Sequence, residues 1–140
     1  MSINEELLEI KTYTGTWYMP LIDSGTWRVA LMRWCDDCLP HNITTMARHE
    51  ETDEVFVLLQ GRCILFVGEG QSEGVMEIHA QEMKPSYLYN VKRGVWHSHT
   101  FDEDALVLIV ENRDTTNRNS RLVDLSDNQR RQIVELTDTM

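Results

Sequence analysis

Histidine and glutamate residues stand close together in the middle of the chain, where two apolar runs meet. His49 directly follows a strand-like run at residues 43–48, and Glu54 begins the next run, at residues 54–60. If the residues between them turn the chain back on itself, both side chains can converge inside a barrel. Imidazole and carboxylate groups can bind a transition metal or exchange protons with a substrate. The pair therefore predicts a metal site or an acid–base site.

The side chain of Glu54 shares one face of its predicted strand with apolar neighbours. Because side chains alternate along a strand, Glu54, Phe56 and Leu58 point to the same side. Burying a carboxylate beside apolar side chains is costly unless another group pairs with it. A metal ion or a hydrogen-bonding ligand could provide that partner.

Residues 46–61 resemble the first sequence motif of the cupins. That motif is H-x-H, three or four residues, E, six residues and G. In this chain His49 is followed by four residues, then Glu54, then six residues and Gly61. The first histidine of the motif falls on Ala47.

Residues 92–101 resemble the second cupin motif, which is approximately P-x-G, two residues, H, three residues and N. Gly94 and His97 match it, whereas Lys92 and Phe101 stand where proline and asparagine are usual. The resemblance covers about residues 26–110, and the distance between the motifs suits the hairpin that separates them in this family. It implies an all-β fold, a double-stranded β-helix or jelly-roll barrel.

The resemblance also implies a ligand set. Cupins with the full set use three histidines and one glutamate to hold iron, manganese, nickel, zinc or copper. With Ala47 at the first position, this chain keeps His49, Glu54 and His97, and two histidines with one carboxylate are still a competent set with open positions. His99 would share the strand face of His97 and could replace the missing ligand. Whether a metal binds is left open, because three protein ligands hold it less firmly than four.

The pattern of the remaining chain agrees with a barrel. Short runs rich in β-branched and aromatic residues alternate with Gly, Asp, Asn and Pro over about residues 13–123, which is typical of a sandwich or barrel. Residues 63–67 and 75–80 form a hairpin candidate. Ser126 and Gln129 fit a capping box, so we predict a helix over residues 129–136. The expected organisation is a cupin domain with an N-terminal strand extension at 1–125 and a helix packed on it at 126–140.

Composition excludes several classes of function. The net charge of −10 over 140 residues disfavours nucleic-acid partners and anionic lipid. No stretch has the length of an apolar membrane span, and the acidic start lacks the pattern of a signal peptide, so we expect a cytoplasmic protein. Three cysteines argue against a disulfide framework. Cys35 and Cys38 form a CxxC motif, but the sequence has no second CxxC, which disfavours a zinc site or a redox pair.

Two functions remain open from the sequence. In the first, the chain is a metal-dependent enzyme of dioxygenase, isomerase or lyase type that acts on a small polar metabolite. Iron, manganese, nickel or zinc would be its metal, no organic cofactor is expected, and Glu54 and His97 would be catalytic. In the second, the chain is a non-catalytic, metal-free module that binds or senses a small molecule. Family resemblance further predicts a homodimer, since exposed barrel edges and aromatics are commonly covered by a partner subunit.

Overall fold

The computed structural model describes residues 2–71 and 73–140 and contains ten strands and one α-helix in that part of the chain. Two short 3-10 turns, Asp36–Cys38 and Pro40–Asn42, connect the second and third strands. The strands are β1 (Trp17–Ser24), β2 (Trp27–Arg33), β3 (Thr45–His49), β4 (Glu54–Gln60), β5 (Cys63–Glu69), β6 (Glu77–Glu82), β7 (Tyr89–Val91), β8 (Trp96–Phe101), β9 (Leu106–Asn112) and β10 (Ser120–Asp124), and the helix is α1 (Asp127–Asp138).

The strands form two five-stranded sheets in which every pair is antiparallel. One sheet has the order β1-β2-β9-β4-β7, and the other has the order β10-β3-β8-β5-β6. The predicted hairpin is present, because β5 pairs with β6. The predicted fold class is confirmed: the domain is an all-β jelly-roll barrel with a short C-terminal helix.

Gly61 makes the connection between β4 and β5. Its φ angle is +73°, a left-handed conformation that favours glycine. A Cβ atom at this position would also lie 2.6 Å from the backbone of Ala105. Two steric reasons therefore favour glycine at this connection between β4 and β5.

Two apolar clusters hold the layers together. The first lies between the sheets and includes Phe56, Leu58 and Val107. The second lies between the outer face of the β3, β8 and β5 strands and the C-terminal helix, where Trp96 and Ile133 are buried. Alternation along β8 thus sends Trp96 outward to the helix and its neighbour His97 inward to the barrel.

The predicted capping box is present at the start of the helix. The hydroxyl of Ser126 accepts a hydrogen bond from the backbone N–H of Gln129, and the Gln129 side chain accepts one from the backbone N–H of Ser126. The helix is longer than predicted at both ends, since its first turn starts at Asp127 and its last reaches Asp138. No helix among residues 2–71 and 73–140 is long and apolar enough to cross a membrane.

Candidate metal centre

Three predicted site residues meet inside the barrel. His49 ends β3, Glu54 begins β4, and His97 lies near the start of β8. One ligand atom from each of the three lies within 4.8 Å of the other two. The side chains of Glu54 and His97 are buried, with exposed fractions of 8% and 6%, and His49 is partly buried. The geometry of a compact His–Glu–His cluster is therefore present, and its role as a metal site stays a prediction.

The Oε2 atom of Glu54 is at the centre of this cluster. It lies 2.6 Å from Nε2 of His49 and 3.3 Å from Nε2 of His97. It is buried, and despite these short distances neither contact has the geometry of a hydrogen bond. Close approach without hydrogen-bond geometry is what convergent metal ligands have in common, since their lone pairs are directed at a shared point rather than at each other. The three residues thus fit a metal ion.

The Nδ1 atoms of His49 and His97, on the side of each ring away from Glu54, contact neighbouring polar groups. Nδ1 of His97 lies 3.1 Å from the carbonyl oxygen of Val95, to which it can donate. Nδ1 of His49 lies 2.8 Å from the hydroxyl of Ser120, which is the register partner of His49 on β10. Such contacts fix the ring orientation and present Nε2 to the pocket, as the outer partners of metal-bound histidines do.

Charge pairing shifts the proton affinities within the cluster. Burial alone would raise the pKa of the Glu54 carboxyl, but the two neighbouring imidazoles outweigh it and hold that pKa below its usual range. Burial would lower the pKa of His97, but the Glu54 carboxylate outweighs it and raises that pKa. In the absence of a metal, a carboxylate and an imidazolium can therefore compensate each other's charge.

Ala47 and His99 line the same cavity. Ala47 is the register partner of His97, so the missing motif histidine would have stood beside the cluster. His99 shares the inward face of β8, as alternation predicts, but its ring nitrogens are not part of the three-residue cluster. Its ring is stacked between Trp17 and Phe101 at centroid distances of 5.6 and 4.8 Å, and both nitrogens are buried without a partner. Ligation by His99 stays a prediction that this arrangement does not support.

A second polar group faces the cluster, and the sequence reasoning missed it. Glu111 lies at the end of β9, and its Oε1 accepts hydrogen bonds from the Tyr18 hydroxyl at 2.6 Å and from Nη2 and Nε of Arg28 at 2.8 and 3.2 Å. Its Oε2 lies 4.0 Å from Nε2 of His49. Alternation could have revealed it, because Val107, Ile109 and Glu111 share one face of β9.

These groups line a cavity of about 610 Å³. Residues 115–117 of the connection that precedes β10 and residues 120–122 of β10 also line it. That volume suits a small metabolite. The cavity therefore joins the His–Glu–His cluster to Glu111 in one space.

Other chemistry-bearing residues lie elsewhere. His79 is exposed and pairs with Glu69 at 2.7 Å, forming with Glu77 a surface cluster. The Sγ atoms of Cys35 and Cys38 are 3.5 Å apart, and Cys38 is buried in the apolar cluster between the sheets. Neither group lines the cavity.

Comparison with known proteins finds the same architecture in solved structures. No protein-family model and no curated protein matches the chain. The capsular polysaccharide assembling protein CapF from Staphylococcus aureus aligns with a TM-score of 0.57 at 12% identity, over 88% of this chain and 34% of its own. The QdtA 3,4-ketoisomerase from Thermoanaerobacterium thermosaccharolyticum, a double mutant in complex with TDP, aligns with a TM-score of 0.53 at 20% identity, over 67% of this chain and 64% of its own. A cupin-2 domain protein from Shewanella frigidimarina gives 0.49 at 17% identity, over 72% and 85%.

The chain folds as a small cupin domain. At these identities the likeness shows the fold alone, and the chain spans about a third of CapF and under two thirds of the ketoisomerase. The function of this chain must therefore be argued from its own site.

Proposed function

We propose that this cupin holds a divalent transition metal through Nε2 of His49, the carboxylate of Glu54 and Nε2 of His97, and that it acts on a small polar metabolite bound beside the metal. The observation that carries the proposal is the buried Oε2 of Glu54, which faces two imidazole nitrogens and accepts no hydrogen bond. Iron, manganese, nickel and zinc all accept such a donor set. The reaction would be of the dioxygenase, isomerase or lyase type.

The protein residues have separate tasks in this proposal. A bound metal would supply Lewis-acid or oxygen-activating chemistry at positions that the three ligands leave open. Ser120 and the Val95 carbonyl orient the two imidazoles so that Nε2 faces the cavity. Burial of Glu54 and His97 keeps water away from their charges and so strengthens their interactions with a ligand.

The size and lining of the cavity support a small polar ligand. It measures about 610 Å³ and is lined by carboxylate, imidazole, hydroxyl and guanidinium groups beside apolar side chains. Among proteins of similar fold, the ketoisomerase has also been solved with TDP-4-keto-6-deoxyglucose. A ligand that includes a hydroxylated or carbonyl-bearing carbon skeleton would fit the same kind of site.

A metal-free binding module is the second candidate function. Ala47 favours it, since the motif's first ligand is absent, and the pairing of Glu54 with His97 compensates the buried charge without a metal. In that case the cavity would bind or sense a small molecule, and the two imidazoles would act as hydrogen-bond donors.

Metal content separates the two functions. We expect protein purified without chelators and without nickel resin to contain close to one equivalent of a transition metal by mass spectrometry, and His97→Ala to lose it. The matched control is His79→Ala, which removes a histidine from the exposed cluster and should leave the metal content unchanged. Less than about a tenth of an equivalent in the wild type, unaffected by His97→Ala, would favour the metal-free module.

We propose in addition that this cupin is a homodimer. β1 is the edge strand of its sheet; Trp17 and Met19 of this strand are exposed, and so is Trp27 of the neighbouring strand β2. Exposed apolar edges are commonly covered by a partner. A dimeric mass by light scattering at micromolar concentration is the expected result, and a monomeric mass would contradict it. The cytoplasmic location stays a prediction.

A further inference from the structure

Glu111 is a buried carboxylate with one oxygen fully used and the other free. Its side chain is 4% exposed. Oε1 accepts one hydrogen bond from Tyr18 and two from Arg28, so the orientation of the carboxylate is fixed. Oε2 is buried and has no hydrogen-bond partner. A buried, unsatisfied carboxylate oxygen is costly, so its retention in a cavity wall suggests that a ligand satisfies it.

The free oxygen lies beside the metal cluster but outside it. Oε2 is 4.0 Å from Nε2 of His49, yet Glu111 does not belong to the group whose ligand atoms all lie within 4.8 Å of one another. It therefore lies next to the cluster without forming part of it. If one atom of a ligand lies near the metal position, the next atom of that ligand is within reach of Oε2 of Glu111.

The surroundings of Glu111 decide which ligand group fits. Arg28 carries the positive charge next to it, but its N–H groups are already directed at Glu111 and at the carbonyl oxygens of Arg113 and Thr115. That guanidinium is therefore occupied and does not invite an anionic ligand group. What the position offers is an acceptor, so it selects a hydrogen-bond donor and repels a carboxylate or phosphate.

We propose that Glu111 is the specificity-determining residue of the pocket, accepting a hydrogen bond on Oε2 from a hydroxyl group of the ligand, with Tyr18 and Arg28 as its positioning residues. This inference rests on the proposed function only in taking the cavity as the ligand site. It does not require the metal. The substrate class that follows is a hydroxylated metabolite whose hydroxyl lies next to the atom nearest the metal position.

A purely structural role for the same residues is the competing explanation. Arg28 and Glu111 are register partners on β2 and β9, so their ion pair could serve only to join these strands. Stability measurements would not distinguish the two roles. Discrimination between a hydroxyl and its methyl ether does, because an ion pair between strands has no influence on that preference.

The test compares two pairs of uncharged probes, hydroxyacetone with methoxyacetone and ethylene glycol with 1,2-dimethoxyethane. Dissociation constants are measured by ligand-observed NMR on metal-free and zinc-loaded protein. We expect wild type to prefer each hydroxyl probe over its ether by about tenfold or more, as for a hydrogen bond to a charged group, and Glu111→Gln to reduce the preference to within about twofold. Glu82→Gln, at an exposed Glu–Arg pair with Arg62, is the matched control and should keep the full preference.

Tyr18→Phe is the second variant, and it decides the matter if Glu111→Gln does not fold. Removing one of the three hydrogen bonds to Oε1 should lower the preference by about fivefold. Equal binding of hydroxyl and ether probes by wild type, a preference that survives in the variant, or no hydroxyl probe binding below about 100 mM would overturn the inference. Metal content is measured separately. If the protein proves to bind no metal, the preference for hydroxyl probes can still be measured on the metal-free protein.

Discussion

The two ends of the barrel interior are built by the same strands but differ in chemistry. Along β4 the inward side chains run from Glu54 to Phe56 and Leu58, and along β9 they run from Glu111 back to Val107. At one end apolar side chains are packed together and almost no surface is exposed. At the other end carboxylates and imidazoles face an open cavity, and two carboxylate oxygens are buried without a hydrogen bond. The apolar end stabilises the fold, and the polar end gives up stability to keep groups free for a ligand.

Truncation at the apolar end should have the largest effect on stability. Leu58 is 2% exposed and lies in the cluster between the sheets. Leu58→Ala should lower the free energy of unfolding by about 2–5 kcal/mol, since it removes buried methyl groups and leaves a cavity. Chemical denaturation measures this change. Metal content should stay as in wild type; loss of metal together with stability would show that the two ends are not separable.

His99 lies between the apolar and the polar end of the barrel interior. Its contribution to the free energy of unfolding should depend on pH. Burial, with a smaller contribution from His97, lowers its pKa from 6.5 to about 4. Between these values the unfolded chain binds a proton that the folded chain does not, so the stabilisation is complete above pH 6.5 and is lost as the pH falls towards 4.

The variant that tests this is His99→Phe, which keeps the aromatic stack. From about pH 7 to about pH 4, wild type should lose up to ~3 kcal/mol more stability than the variant. Thermal or urea unfolding across this range gives the comparison, with His41→Gln as an exposed control. Parallel pH curves for wild type and His99→Phe would contradict the buried, neutral state of His99.

Removal of a supporting group at the polar end should affect metal affinity more than stability. Ser120→Ala removes the hydroxyl that contacts Nδ1 of His49. Metal affinity should fall by about 10–100-fold, as it does when an outer partner of a metal-bound histidine is removed. Equilibrium titration with zinc measures the affinity. An unchanged affinity would mean that the orientation of His49 does not depend on β10.

The sequence was sufficient for the barrel and for the three clustered residues. Spacing and alternation placed Glu54 on the inward face of its strand, and the resemblance to two motifs brought in His49 and His97. The capping box located the start of the helix at Ser126. These features are encoded locally, within a turn or along one strand.

The second polar group could not be assembled from the sequence, because it depends on register between distant strands. Tyr18 and Glu111 are 93 positions apart, and Arg28 reaches Glu111 only because β2 pairs with β9. The contact between His49 and Ser120 likewise depends on the pairing of β3 with β10. Alternation could have indicated that Glu111 faces inward, but not which side chains it meets there.

The proposed metal site requires that His49 and His97 direct Nε2 at one shared position. Long-range ¹H–¹⁵N NMR of the histidine rings during a zinc titration tests it most directly. We expect the Nε2 resonances of His49 and His97 to change together and to saturate at about one equivalent, with protonated Nδ1 in both rings. The resonances of His41 and His79 should not change over the same range. Absence of any change at His49 and His97, or saturation at His79 instead, would contradict it.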